Sequence, residues 1–401
     1  MKIVGIIAEY NPFHNGHLYH METARRMTGA EAVIVVMGGN FLQRGEPALV
    51  DKYRRTRAAL AAGADLVLEL PPSAATGSAE RFAAGAVQLL DGCGCVTDLV
   101  FGAEADNLSD LKAAACALSG ENPLVEASIA EQLRGGSSYA KACALAVREH
   151  FPALAGLTDT PNNMLAIEYL KALARAGSPI RPHALLRRGS SYHEAALDTA
   201  GGFSSASAIR RTVFHVYSRA TGPLSDAFDL SVLQGHMPEA MRSQLDYAVG
   251  ANDFSDVIAD RLCRLTAEEM CCFEDVTPDL AERIAACAPY YMSFEELVDQ
   301  ISAKCFTRAR VRRALLHIVL EIPRQSPSPC CLRILGLRRG TPAAGLLKRM
   351  AGLPLITKPA HTSEELFQPY RTAADLYNRA VYFRHGIRLP DEYHAGPVLF
   401  P

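Results

Sequence analysis

The fold is decided by the stretch Ile3-Val4-Gly5-Ile6-Ile7-Ala8-Glu9-Tyr10-Asn11-Pro12-Phe13-His14-Asn15-Gly16-His17. Its first part, Ile3 to Ala8, predicts a buried strand, because strands covered on both faces of a parallel sheet read as continuous hydrophobic runs. A polar loop follows, and then a helix from about Gly16 to Met27. Strand, loop and helix in this order are typical of an α/β sheet.

The same alternation continues over roughly the first 215 residues, which predicts a parallel sheet flanked by helices. Four further strands are predicted: Ala32 to Met37, Leu66 to Leu70, Val96 to Phe101 and His183 to Leu186. Six further helices are predicted at about 51–62, 78–90, 106–118, 124–133, 137–149 and 162–176. After the serine-rich stretch 204–207 the chain becomes mostly helical. We therefore predict two domains, 1–220 and 221–401.

Composition excludes several classes of protein. Of 401 residues, 49% are hydrophobic and 21% are charged, which argues against disorder and coiled coil. Aliphatic runs such as 32–37 are far shorter than the roughly 20 residues of a membrane span. The first residues do not read as a signal peptide, so none is expected, and the eleven cysteines lack the spacing of zinc sites. We expect a cytoplasmic protein with reduced thiols, no bound metal held by cysteine and no membrane partner.

The chemistry is concentrated in His14-Asn15-Gly16-His17. Ligands of open parallel sheets bind at the carboxyl ends of strands, and helix N-termini favour anions, so a phosphate is expected here. His14 and His17 can face the same phosphate and stabilise charge as it is attacked, while Gly16 permits close approach of the backbone. Ordinary surface histidines near a helix cap, or a two-histidine metal site, remain alternatives.

A second motif, Phe203-Ser204-Ser205-Ala206-Ser207-Ala208-Ile209-Arg210, resembles the Ser-Ser-x-x-Ile-Arg loop that nucleotidylyltransferases pair with His-x-Gly-His. Hydroxyl groups, a helix N-terminus and Arg210 would hold the β- and γ-phosphates of a nucleotide. Alone, the motif indicates a good helix cap. Paired with the histidine loop, it favours a nucleotide-dependent enzyme.

Longer phrases resemble the bacterial tRNA(Met) cytidine acetate ligases from residue 1 to about 215 and again from Thr307. These phrases are 8–17, 39–47, 63–71, 101–104, 161–171, Tyr192-His193 and 307–313. The resemblance implies a Rossmann-like open parallel sheet of the nucleotidylyltransferase type, followed by a mainly α-helical C-terminal domain. It also implies a two-step enzyme: acetate attacks ATP to give acetyl-adenylate, and the acetyl group passes to the wobble cytidine of elongator tRNA(Met), forming N4-acetylcytidine.

By this resemblance His14 and His17 are catalytic, and the loop wrapping the nucleotide comprises Ile7, Ala8, Glu9, Tyr10, Asn11, Pro12, Phe13, His14, Asn15, Gly16, His17, Leu18, Tyr19 and His20. Other residues of the ATP site are Gly102, Asn162, Arg187, Arg188, Ser204, Ser205 and Arg210. A turn role for Gly102, a helix cap at Asn162 and a solvated charge at Arg188 are the alternatives. Mg²⁺ would arrive with ATP, bound through phosphates and water, so no dedicated protein metal site is expected.

The net charge of -2 hides a division along the chain. Residues 301–360 contain 12 Lys and Arg but one acidic residue, Glu321, so this window carries +11 and the remainder -13. A helix here would bury Val311 and Ile318 and present Arg308, Arg310, Arg312 and Arg313 on its other side. Together with Lys304, Arg333, Arg338, Arg339, Lys348 and Arg349, these four arginines predict contact with the tRNA backbone. A solvated charged face is the alternative.

Two other functions are compatible with the same motifs. A small-molecule adenylyltransferase, or an acetate ligase acting on a protein-bound thiol, would use the same phosphate loops but would not need the basic window. A non-catalytic RNA-binding module would keep the nucleotide fold without its chemistry. No protein partner is indicated.

Overall fold

The computed structural model describes residues 1–187, 197–198, 203–219 and 230–401. The strands are β1 (Ile3–Ala8), β2 (Ala32–Gly38), β3 (Phe41–Leu42), β4 (Glu46–Pro47), β5 (Leu66–Leu70), β6 (Asp98–Ala103), β7 (Arg181–Leu186), β8 (Leu332–Arg338), β9 (Leu355–Ile356) and β10 (Val398–Phe400).

The helices before the serine motif are α1 (Asn15–Thr28), α2 (Lys52–Ala61), α3 (Pro72–Ala75), α4 (Ala79–Gly92), α5 (Leu108–Ala117), α6 (Pro123–Arg134), α7 (Tyr139–His150) and α8 (Pro161–Ala176). The later helices are α9 (Ala206–Arg219), α10 (Glu239–Arg242), α11 (Ser255–Leu262), α12 (Ala267–Met270), α13 (Pro278–Cys287), α14 (Phe294–Ile301), α15 (Arg308–Val319), α16 (Pro342–Met350) and α17 (Glu364–His385). Short 3-10 turns connect several of them.

The main sheet has the order β10-β8-β5-β2-β1-β6-β7, with β9 paired to β8. Strands β5, β2, β1, β6 and β7 are parallel to one another, whereas β8 is antiparallel to β5. The chain moves from β1 outward to β2 and β5, then returns to place β6 on the other side of β1. The point between β1 and β6 is therefore the topological switch point, where open α/β sheets bind their ligands.

The predicted α/β class is confirmed. All five predicted strands are present, and the seven predicted helices of the N-terminal part differ from the observed ones by only a few residues at their ends. The helical C-terminal region is also present. The predicted boundary between residues 220 and 221 lies outside the described residues, and the division into two domains stays a prediction.

Both faces of the sheet are buried, which explains the continuous hydrophobic runs. In β2, Val33 and Val35 belong to one core, which also contains residues of α1, α2, α9 to α15 and α17. Ile34 and Val36 point to the other face, where α4 to α8 pack. The C-terminal helices thus share a continuous core with the sheet.

Five strands were not predicted from the sequence: the short β3 and β4, and β8, β9 and β10. Strand β8 lies inside the basic window and carries Arg333, whose 2% exposed side chain pairs with Glu69 of β5 and with Glu392. The expectation that Arg333 contacts RNA is therefore wrong. The sequence could not show this, because the two carboxylates lie far from Arg333 along the chain.

No helix among the described segments is long and apolar enough to cross a membrane.

Candidate nucleotide site

The histidine loop follows the carboxyl end of β1, beside the switch point. His14 occupies the N-cap of α1, and its Nδ1 accepts a hydrogen bond from the backbone N–H of Gly16 (3.0 Å). The backbone N–H of His14 in turn donates to Nδ1 of His17 (3.2 Å). Since both Nδ1 atoms accept, each neutral ring carries its proton on Nε2. The two rings lie together, with centroids 3.8 Å apart.

The environment keeps these imidazoles neutral. Burial lowers the pKa of His14 to about 3, with further lowering by Arg187 and Arg210. Burial also lowers the pKa of His17 well below its usual range, and the neighbouring His14 acts in the same direction. Near neutral pH both rings are therefore Nε2–H donors without a formal charge, as suits groups that stabilise charge developing on a phosphate.

Gly16 is required by the packing of His14 itself. A Cβ atom at this position would lie 2.8 Å from Cε1 of His14, closer than unbonded carbon atoms pack. The sequence-based reason for a glycine here was close approach of a phosphate to the backbone. The structure adds a second reason, because any larger residue would displace the His14 ring.

The loop before α1 is held by buried polar contacts. Oδ1 of Asn11 accepts from the backbone N–H of Leu49 (2.7 Å), and Tyr10 and Phe13 pack edge to face at 4.7 Å. Arg55, fully buried in α2, donates to backbone carbonyls that include those of Glu9 (2.7 Å) and Gly38 (3.0 Å). It thereby ties the ends of β1 and β2 together, a role that the sequence did not indicate.

Other residues of the predicted nucleotide loop lie close to His14 and His17 along the chain. Ile7 and Ala8 end β1, and Leu18, Tyr19 and His20 lie in the first turns of α1. Burial lowers the pKa of His20 to about 4, and its Nε2 is a buried atom without a hydrogen-bond partner in the described structure. Tyr19 lies 5.4 Å from the ring of Phe203, which begins the serine motif.

The structure brings the serine motif to the histidine loop, as the sequence predicted. Arg210 donates from Nη1 to the backbone carbonyl of Asn11 (2.8 Å). Oγ of Ser205 accepts from the backbone N–H of Ala208 (3.1 Å) at the start of α9, and Ser204 is buried. A helix N-terminus and an arginine thus lie beside the two histidines, an arrangement suited to a polyphosphate.

His236 is a residue of this site that sequence reasoning missed. Its Nδ1 lies 2.8 Å from Oγ of Ser204, and its carbonyl accepts from the backbone N–H of Asn15 (3.2 Å). The side chain of Asn15 also donates to the carbonyl of Gly235 (2.7 Å). The turn 235–236 therefore joins the two phosphate motifs. No motif marks it, because its role depends on a contact across more than 200 residues.

The other predicted ATP residues lie at the ends of β6 and β7. A Cβ on Gly102 would lie 3.3 Å from Cγ of Arg187, so the two residues are neighbours. Arg187 donates from Nη1 to Oδ1 of Asn162 (3.2 Å), and the amide of Asn162 donates to Glu104. Glu104, which the prediction omitted, thus positions Asn162. Arg188 lies outside the described residues.

The four predicted RNA-binding arginines are on α15, and three of them meet carboxylates. Arg308 pairs with Glu295 (2.8 Å) and Asp299, Arg312 with Glu46 (2.9 Å) and Glu295, and Arg313 with Asp275 (2.8 Å). Arg310 lies over the ring of Phe306, 5.4 Å from its centroid. The window contains a single acidic residue, but carboxylates from other segments of the chain pair with these arginines. RNA contact by these residues stays a prediction.

Known proteins resemble the whole chain. Residues 1–386 match the family model of the HIGH Nucleotidyl Transferase. The tRNA(Met) cytidine acetate ligase of Thermoanaerobacter sp. (strain X514) is 37% identical over 95% of each chain, and that of Acetivibrio thermocellus is 37% identical over 89% of this chain and 88% of its own.

Solved structures agree with these relatives. Thermotoga maritima TmcAL bound with alpha-thio ATP has a TM-score of 0.87 and 28% identity over 100% of both chains. The apo form of the same protein gives a TM-score of 0.87 and 29% identity, again over 100% of both chains. Sequence, fold and the paired phosphate motifs agree: the chain belongs to the tRNA(Met) cytidine acetate ligase family of HIGH nucleotidyl transferases.

Proposed function

We propose that this protein is an ATP-dependent ligase that activates acetate as acetyl-adenylate and transfers the acetyl group to the wobble cytidine of elongator tRNA(Met). The observation that carries the proposal is the pair of adjacent imidazoles, His14 and His17, held at the switch point of the sheet beside Arg210. The identity of the substrates is inferred from the family to which the chain belongs. We place the reaction in the cytoplasm.

The first step forms a bond between an acetate oxygen and the α-phosphorus and breaks the bond from that phosphorus to the bridging oxygen of pyrophosphate. Negative charge grows on the α-phosphate oxygens and on the leaving group. The Nε2–H groups of His14 and His17 donate to the former, and Arg210 with the N-terminus of α9 holds the latter. Because the rings are already oriented by Gly16 and by each other, they need little reorganisation.

The second step forms a bond between the exocyclic N4 of cytidine and the acetyl carbon. The bond from that carbon to the phosphate oxygen breaks, AMP leaves, and the amine loses a proton. AMP is a good leaving group, so positioning of the cytidine is the main requirement. Mg²⁺ would enter with ATP as part of the substrate. The described residues contain no group of three His, Cys, Asp or Glu side chains that could hold a metal ion. Such a Mg²⁺ ion would be bound through the phosphates and water.

The tRNA would lie along α15, beside the nucleotide site. Arg310 offers a guanidinium on the surface of this helix, and Arg308 is 45% exposed on its side chain despite its ion pairs. A phosphate can compete for a surface arginine because exposed ion pairs contribute at most about 1 kcal/mol. Such contacts would position the RNA without reading its sequence.

The test separates the two steps. Without RNA, the protein should exchange labelled pyrophosphate into ATP only when acetate is present, and His17→Ala should lower this exchange about 10²- to 10³-fold. With elongator tRNA(Met), label from acetate should appear in the RNA. Exchange with acetyl transfer to a thiol acceptor, and none to tRNA, would instead support the thiol-directed alternative.

A further inference from the structure

The hairpin formed by β3 and β4 contacts both the nucleotide site and the basic helix α15. On one side, the backbone N–H of Gln43 donates to Oε1 of Glu9 (2.8 Å), in the loop that leads to the histidines. On the other side, Gly45 has a φ of +72°, and a Cβ added to it would lie 2.5 Å from Cβ of Arg312. The hairpin therefore touches the backbone of α15 directly.

Glu46 of this hairpin is shared by two arginines with different predicted tasks. Its Oε1 pairs with Nη1 of Arg312 on α15 at 2.9 Å, and its Oε2 lies 3.7 Å from Nη2 of Arg210. The three side chains are 18–23% exposed, so their charges are only partly screened by water. One carboxylate thus links the arginine assigned to the ATP phosphates with an arginine assigned to RNA.

Neither arginine depends on Glu46 alone. Arg210 also donates to the carbonyl of Asn11, and Arg312 also pairs with Glu295, while Nε of Arg312 is buried without a hydrogen-bond partner in the described structure. The weaker of the two Glu46 contacts is the one to Arg210. Either arginine can therefore exchange Glu46 for a phosphate without being left uncompensated.

We propose that Glu46 makes ATP binding and tRNA binding antagonistic, and so orders the two half-reactions; this inference rests on the proposed function. When a triphosphate neutralises Arg210, Glu46 is repelled by the phosphates and pairs more fully with Arg312, which is then less available to RNA. When pyrophosphate leaves, Arg210 recovers Glu46 and the hold on Arg312 weakens. The tRNA then binds best to the enzyme that already carries acetyl-adenylate.

The size of the antagonism follows from the energy of such pairs. Ion pairs of this exposure contribute up to about 1 kcal/mol, equivalent to about fivefold in an equilibrium constant. A non-hydrolysable ATP, α,β-methylene-ATP, should therefore raise the dissociation constant of elongator tRNA(Met) about fivefold. AMP lacks the β- and γ-phosphates and should leave the dissociation constant unchanged.

The experiment measures tRNA binding by filter retention at constant salt, with and without each nucleotide. Glu46→Gln should abolish the fivefold effect of α,β-methylene-ATP. Glu295→Gln is the matched control, because it removes the other partner of Arg312 without touching Arg210, and it should retain the effect. Arg312→Gln is a second route to the same loss, which keeps the test valid if Glu46→Gln does not fold.

The outcomes separate this inference from the proposed function. If tRNA does not bind the unaltered protein, or receives no acetyl group, the proposed function fails and this inference fails with it. If the unaltered protein acetylates tRNA but α,β-methylene-ATP has no effect on tRNA binding, the antagonism is absent and the inference alone is overturned. The same conclusion follows if Glu46→Gln retains the full effect.

Discussion

Replacing Glu392 by Gln should strongly destabilise the protein, because this carboxylate belongs to a buried ion cluster. Lys52, Glu69, Arg333 and Glu392 are each no more than 2% exposed, and each cation pairs with both carboxylates. The charges balance, two positive against two negative. Glu392→Gln keeps the shape of the side chain but leaves one buried positive charge uncompensated, at a cost of about 3–5 kcal/mol.

Equilibrium urea unfolding, followed by circular dichroism, measures this cost. Asp159→Asn is the control: it breaks a pair with Arg148 in which the side chains are 46% and 55% exposed, and it should cost no more than about 1 kcal/mol. Adding Lys52→Met to Glu392→Gln restores the charge balance and should recover part of the loss. A cost for Glu392→Gln as small as that of the control would show that an unpaired charge in this buried cluster is not strongly destabilising.

Three further predictions concern the nucleotide site and the basic helix. Burial lowers the pKa of His14 to about 3, so this residue binds no proton in the folded protein as pH falls from 6.5 to 5, whereas it does in the unfolded chain. The free energy of unfolding should therefore drop by about 1.5 kcal/mol because of this residue. In urea titrations at several pH values, His14→Asn should remove that part of the pH dependence. Gly16→Ala should lower kcat of acetate-dependent pyrophosphate exchange about tenfold or more, since its Cβ displaces the His14 ring; an unchanged kcat would show that the close packing is not needed. Arg310→Gln should reduce the slope of the logarithm of the tRNA binding constant against the logarithm of salt concentration by about one. Arg313→Gln should change this slope less, because Asp275 already neutralises that guanidinium. Equal effects of the two variants would contradict the ion-pair assignment.

The parts of the site that were predictable from the sequence lie in contiguous motifs. His14, Gly16 and His17 occupy one turn, and Ser204 to Arg210 occupy another. The residue types and spacing of each motif can therefore be recognised in the sequence without knowing the fold. The parallel sheet was also predictable, because the alternation of strands and helices is a pattern of neighbouring residues. Strand order then places both motifs at the switch point, as the general rule for open α/β sheets requires.

The residues that were missed act through contacts between distant parts of the chain. His236 joins the two motifs, and Glu104 and Arg55 support them, yet none stands in a local pattern of its own. The pairing of arginines in the basic window is invisible in the sequence for the same reason. Counting along the sequence gave +11, but Arg312 and Arg333 meet carboxylates supplied from other segments.

Nucleoside mass spectrometry of elongator tRNA(Met) after reaction tests most directly whether the protein uses ATP to place an acetyl group on a tRNA cytidine. With ATP and acetate, N4-acetylcytidine should appear at the wobble position, and omission of either substrate should abolish it. His14→Ala combined with His17→Ala should do the same. Unmodified cytidine in RNA recovered from a reaction that nevertheless releases pyrophosphate would show that the protein does not transfer the acetyl group to tRNA.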